Sequence, residues 1–189
     1  MLKESASQTA GPYVHIGLMP NFAGLPNVFP ADLGQDMRIA EPAGEPIEIV
    51  LRVLDGTAAP LTDAVVELWQ ADADGRYAVP GAFLGFGRQA TDAETGECRF
   101  RTIKPGRVPF GDGRAMAPHV ALFVVARGIN LGLHTRLYFA DEAPANAEDP
   151  VLAMVDAARR PTLLAQREGG VYRHDIHLQG EHETVFFDV

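Results

Sequence analysis

The chain has one cysteine, Cys98, so no intrachain disulfide can staple its fold. Basic residues are scarce. Sixteen Lys and Arg stand against 25 Asp and Glu, for a net charge of −9 and an isoelectric point near 5.0. That balance argues against the basic patch through which proteins bind nucleic acid or anionic membranes. Long apolar runs are missing too: the longest, Val120 to Ala126, falls far short of the ~20 residues that span a bilayer. The opening Met1-Leu2-Lys3-Glu4-Ser5 has no apolar segment of the kind a secretory leader needs, so a soluble cytoplasmic protein is expected. No internal repeat or low-complexity tract is apparent.

What is present describes a globule. The 189 residues are 47% hydrophobic, enough for one domain and too apolar for a disordered chain. Residues 1–45 carry many breakers, from Pro12 and Gly17 to Pro42 and Gly44, and little periodicity. They read as an arm set before a domain over 46–189. From Ile47 the texture changes. Ile47, Ile49, Leu51 and Val53 alternate with Glu48 and Arg52, and Asp55-Gly56 closes that strand. Further strands are predicted over Ala64–Gln70, Cys98–Thr102, Val120–Ala126, Leu133–Phe139 and Tyr172–Leu178. The unbroken apolar run from Val120 predicts burial on both faces. Turn-separated strands with few helices between them predict a mainly β protein: an antiparallel β-sandwich with an extended N-terminal arm and one or two short helices. The clearest helix signal is Asp149-Pro150 as cap and first residue, running from Val151 to Arg160 and stopping at Pro161.

Several residues that could carry chemistry read as ordinary structure. His134, His174, His177 and His182 show no metal-ligand spacing, and His174 and His177 fall on opposite faces of their strand. His15 lies in the arm and goes wherever the arm reaches. Asp72-Ala73-Asp74-Gly75 opens like a calcium loop, but that frame puts Gly81 where the loop needs glutamate, so it is a turn. Cys98, between Glu97 and Arg99, reads as a core or sheet residue.

The sharper signal lies between Tyr77 and Phe139. Gly75-Arg76-Tyr77 comes first, then Phe100-Arg101-Thr102-Ile103-Lys104-Pro105-Gly106. Arg107-Val108-Pro109 and Ala117-Pro118-His119-Val120-Ala121 follow. This pattern resembles the intradiol aromatic-ring dioxygenases, a β-sandwich family with the signature FRTIKPG-x-Y-P … P-A-H-I-H. In that family two tyrosines and two histidines hold a ferric ion, a hard cation that favours phenolate oxygen. By this resemblance Tyr77 and His119 keep two ligand positions, while Val108 and Ala121 stand in the other two. Met116 stands where the family carries an arginine. An H-x-H pair would put both imidazoles on one strand face, but a methyl and an isopropyl group cannot ligate. Two donors are too few to hold iron against water, so the metal set of this chain is expected to be vestigial.

Further stretches resemble the iron-free α chains of heteromeric members of the family. These are Thr9-Ala10-Gly11-Pro12-Tyr13, Ala126-Arg127-Gly128-Ile129-Asn130, Leu133 to Phe139, and Glu183 to Phe187. This resemblance implies a homologous β subunit that holds the Fe(III), a higher αβ oligomer, and protocatechuate and O2 as substrates. It implies no catalytic residue in this chain alone. Thr9, Gly11, Pro12, Tyr13 and Arg127 match the α-chain positions that wall the partner's substrate pocket. Arg127 has a plainer reading as a surface charge ending a buried strand. Two other functions stay open: a free-standing pseudo-enzyme binding a small molecule between Tyr77 and His119, and a purely structural assembly protein.

Overall fold

Alternation of the kind legible over Ile47–Leu54 makes most of the chain strand. A computed structural model describes residues 8–38, 43–77 and 83–188; residues 1–7 and 39–42 of the expected arm, and Gly81, lie outside them. Helix α1 (Pro12–Leu18) comes first, then β1 (Pro46–Leu54), β2 (Val65–Gln70), β3 (Phe86–Ala90) and β4 (Glu97–Ile103). The two-residue strands β5 (Val108–Pro109) and β6 (Ala115–Met116) precede β7 (His119–Val125) and β8 (Leu133–Phe139). Helix α2 (Ala143–Glu148), β9 (Leu164–Glu168) and β10 (Val171–His177) complete the order. All six expected strands are present. β3, β9 and the β5–β6 pair were not foreseen.

The main strands pair in the order β3-β2-β7-β8-β9-β10-β1-β4. Neighbours are antiparallel except β1–β10 and β8–β9, which are parallel. Only Tyr138↔Leu164 and Phe139↔Ala165 join β8 to β9, so the sheet is nearly two four-stranded halves. Ile49, Leu51 and Val53 from one half and Val66, Leu68, Val120, Leu122 and Val124 from the other share one buried core. The architecture is the expected β-sandwich.

Two expectations need correction. β7 is not buried on both faces: Val120, Leu122 and Val124 are enclosed, but Ala121, Phe123 and Val125 are half-buried on the outer face. An apolar run reports composition, and the pleat still sends alternate side chains outward. Nor is Val151–Arg160 an α-helix. Asp149 does cap the backbone N–H groups of Val151 and Leu152, but the turn ends after a 3-10 segment, Leu152–Met154. Val155 is extended, and the Arg160 guanidinium donates to the carbonyl oxygens of Val155 and Ala153 that a helix would have used internally.

The arm takes an ordered path over residues 8–38 despite its breakers. Met19 and Met37 are buried, Met37 within the sandwich core, and the buried Asp32 carboxylate accepts the N–H groups of Asn21 and Phe22. Arg88 of β3 donates to the Leu18 carbonyl.

The run Phe100–Gly106 fastens the halves together. Phe100 and Ile103 enter the core, and the buried Thr102 hydroxyl donates to Gln70 Oε1 at 2.8 Å. Gln70 Nε2 in turn donates to the Ile103 carbonyl at 2.9 Å, and the Gly106 N–H donates to the Asp72 carbonyl at 2.9 Å. These bonds seat the loop that ends in Tyr77. Among the described residues no helix is long and apolar enough to cross a membrane.

Candidate functional site

Strand register brings together the positions expected to have kept or lost metal ligands. On the outer face of β7, His119 faces Tyr138 of β8, while Ala121 lies between Trp69 of β2 and Arg136 of β8. Tyr77 arrives by the turn after β2. There the Asp72 carboxylate accepts the N–H groups of Asp74 and Arg76, at 2.9 and 2.8 Å. Gly75 adopts φ +77°, where any Cβ would lie 2.0 Å from the Arg107 carbonyl oxygen. The expected turn is therefore the structure observed. The Tyr77 ring is parallel to Trp69, with centroids 6.2 Å apart, and remains 40% exposed.

Val108 and Met116 are cross-strand neighbours and pack with Ala71 and Val151 into a small apolar cluster. The space for a second tyrosine is thus closed. His119 is buried, and its Nδ1 lies 2.8 Å from the Ala117 carbonyl oxygen. A carbonyl only accepts, so Nδ1 carries the proton and Nε2 keeps its lone pair. Burial, aided by the nearby Arg136 charge, pulls the imidazole pKa down to about 4, so His119 is neutral.

Arg136 is the residue that sequence reasoning missed. Its Nη1 lies 3.3 Å from Met116 Sδ and 3.4 Å from the Tyr138 hydroxyl. Its charge opposes the upward shifts that burial gives the phenols of Tyr77 and Tyr138. Among the described residues no carboxylate forms an ion pair with it. A signal did exist: pairing the two predicted strands about the Gly128–Ile129 bond places residue 136 opposite residue 121. Asp149 secures the neighbourhood, accepting the Ala117 N–H at 2.7 Å and the Tyr138 hydroxyl at 3.3 Å. The residues present do not fit a ferric ion. The expected ligand positions offer one imidazole and one phenol beside a fixed cation, where an anionic donor set is needed.

A second assembly of expected residues forms at the far end of β7. Gly11, Pro12 and His15 of the arm meet Thr62, Asp63 and Arg127 around a cavity of about 630 Å³. Thr9 is not part of its lining, but its hydroxyl oxygen accepts the N–H of Gly128, next to Arg127, at 2.8 Å. Tyr13 does not join them; it is 85% exposed. Arg127 Nε lies 3.2 Å from Asp63 Oδ2, on a side chain that stays 70% exposed. The sequence reading gave His15 no role, and Asp63 was missed because its pairing spans 64 residues. Eight residues of extended chain separate His119 from Arg127, so this cavity lies about 25 Å from His119.

The remaining candidates behave as structure. Cys98 is buried in β4, and burial pushes its thiol up to about 12. His174 and His177, though on opposite faces of β10, both line a groove of about 600 Å³, because β9 pairs only with Val171–Arg173 and leaves the strand edge open beyond it. His174 Nε2 is buried there without a hydrogen-bond partner, and burial lowers its pKa to about 4.

The comparisons with known proteins agree with this geometry. A family model described as Dioxygenase matches residues 20–180. The protocatechuate 3,4-dioxygenase alpha chain of Pseudomonas putida is 48% identical, over 100% of this chain and 98% of its own length. The protocatechuate 3,4-dioxygenase beta chain of Burkholderia cepacia is 37% identical, over 76% of this chain and 68% of its own length. Among solved structures, the dioxygenase domain of a carbohydrate-binding fusion protein from Streptomyces sp. SirexAA-E superposes with a TM-score of 0.61 at 28% identity, covering 77% of this chain and 87% of that one. The chain belongs to the intradiol dioxygenase family.

Proposed function

We propose that this chain is the α subunit of a heteromeric protocatechuate 3,4-dioxygenase, holding no iron and forming part of the wall of its β partner's active site. The complex uses O2, and Fe(III) held by that partner, to open protocatechuate between its two hydroxyls to 3-carboxy-cis,cis-muconate. The observation that carries this reading is Arg136, a guanidinium set among Tyr77, His119 and Tyr138 where metal donors are missing. A chain so altered contributes to the reaction through another chain's metal. The full-length match to an alpha chain, alongside the weaker match to a beta chain, supports the pairing.

The role of this chain's residues is binding and enclosure. Gly11 lets backbone approach a ligand closely and Pro12 fixes the path of the arm. Arg127 supplies a cation that attracts the substrate carboxylate toward the mouth, within a chain whose average charge is negative. The separation of about 25 Å between the arm cavity and His119 supports a role for the arm in a pocket completed by the partner. The arm also exposes Phe22, Leu25, Val28, Phe29 and Leu33, the kind of apolar surface a stable partner would cover. Such an assembly would work in the cytoplasm.

The test is expression with and without a homologous chain carrying intact G-x-Y-P and H-I-H motifs. Stoichiometric association, one iron per pair and ring cleavage by the pair alone are expected. A stable, iron-free monomer that ignores the homologue would instead favour a free-standing pseudo-enzyme.

A further inference from the structure

The turn that carries Arg127 is weakly closed by its own backbone. It runs Ala126-Arg127-Gly128-Ile129, with Gly128 at φ +87° and a closing bond from the Ile129 N–H to the Ala126 carbonyl of 3.4 Å. Its best-formed hydrogen bond points outward, from the Gly128 N–H to the Thr9 hydroxyl at 2.8 Å, across 119 residues of sequence. On the other side Asp63 restrains the side chain, but an ion pair this exposed is screened by water and holds it weakly. The position of Arg127 therefore depends on the arm as well as on Asp63. We infer that Thr9 is a positioning residue: its hydroxyl latches the arm to the Arg127 turn and so sets the preference for a carboxylated catechol. Thr9 acts through Gly128 and need not touch substrate, although it was expected to be a substrate-side residue. The inference rests on the reading of Arg127 given above.

The experiment compares Thr9→Val, Thr9→Ser and Arg127→Ala, each in the assembled αβ complex. Two quantities are read: amide hydrogen exchange at Gly128, and the ratio of kcat/KM for protocatechuate to that for catechol. Valine keeps the shape of threonine and removes the hydroxyl. Thr9→Val should accelerate Gly128 exchange and lower the selectivity ratio, each by roughly three- to tenfold, the effect of losing one net hydrogen bond. Thr9→Ser should restore both. Unchanged exchange in Thr9→Val overturns the latch. Faster exchange with unchanged selectivity overturns the positioning role, as does a serine variant that behaves like valine. Arg127→Ala judges the parent reading separately: if it leaves the ratio unchanged, Arg127 is not the selective cation, whatever the exchange data show.

Discussion

Arg136 faces Ala121 directly across the β7–β8 pair, so the position from which a second histidine would reach a metal is answered by a guanidinium. The missing donors and the nearby cation act in the same direction. A ferric ion placed here would have to overcome charge repulsion as well as missing donors.

Restoring the donors alone should therefore fail. Val108→Tyr with Ala121→His should bind almost no iron, and the larger side chains should destabilise the fold by about 1–3 kcal/mol through overpacking. Adding Arg136→Gln should raise the iron content above that of the double variant. Metal analysis and the visible tyrosinate-to-iron absorption band read the outcome. Equal iron in both variants would show that Arg136 is irrelevant to exclusion.

Arg127→Ala in the αβ complex should leave assembly and iron content intact and lower kcat/KM for protocatechuate by on the order of 1–2 kcal/mol. Catechol, which lacks the carboxylate, should lose less. The difference should shrink in high salt as screening sets in. Identical kinetics on both substrates would return Arg127 to the role of a strand-end surface charge.

Acid should destabilise the chain in a defined window. His119 and His174 have folded pKa values of about 4, below the ordinary 6.5, because burial favours their neutral forms. The unfolded state then takes up protons first as pH falls. Stability is complete above pH 6.5, declines between 6.5 and 4, and stops falling from this cause below 4. The total loss should be about 3 kcal/mol per histidine. Urea unfolding at pH 7.5, 5.5 and 4.5 measures it, and His174→Gln should flatten part of the slope.

Asp149→Ala should be among the most damaging single changes. It strands the Ala117, Val151 and Leu152 N–H groups and the Tyr138 hydroxyl in a buried site, at a cost of about 3 kcal/mol or more. Denaturant midpoints should show the full loss for alanine and a smaller one for Asp149→Asn. An alanine variant as stable as the parent would mean that water replaces all four bonds.

Much of the fold was legible because strand alternation is local. Ile47–Val53 announced a core-facing strand, and Asp72–Gly75 announced a turn through its own side-chain chemistry. β3 and β9 were not legible. β3 contains Gly87, which packs on Met37 and Phe100, and β9 is largely exposed, so neither shows an apolar face in the sequence. The false helix after Asp149 had a true cap but no interior: Val155 turns extended, and Arg160 takes the carbonyls a helix would need.

The sequence by itself determined which groups this chain can bring to a reaction. Phenol and imidazole survive at Tyr77 and His119, and no tertiary contact can make a ligand of Val108 or Ala121. Side-chain chemistry is a property of the residue alone. What only the tertiary structure decided was adjacency across distance: Arg136 beside Ala121, Asp63 beside Arg127, and Thr9 hydrogen-bonded to Gly128. Strand register and loop closure set those neighbours, and both depend on how the whole apolar core packs rather than on any local run of residues.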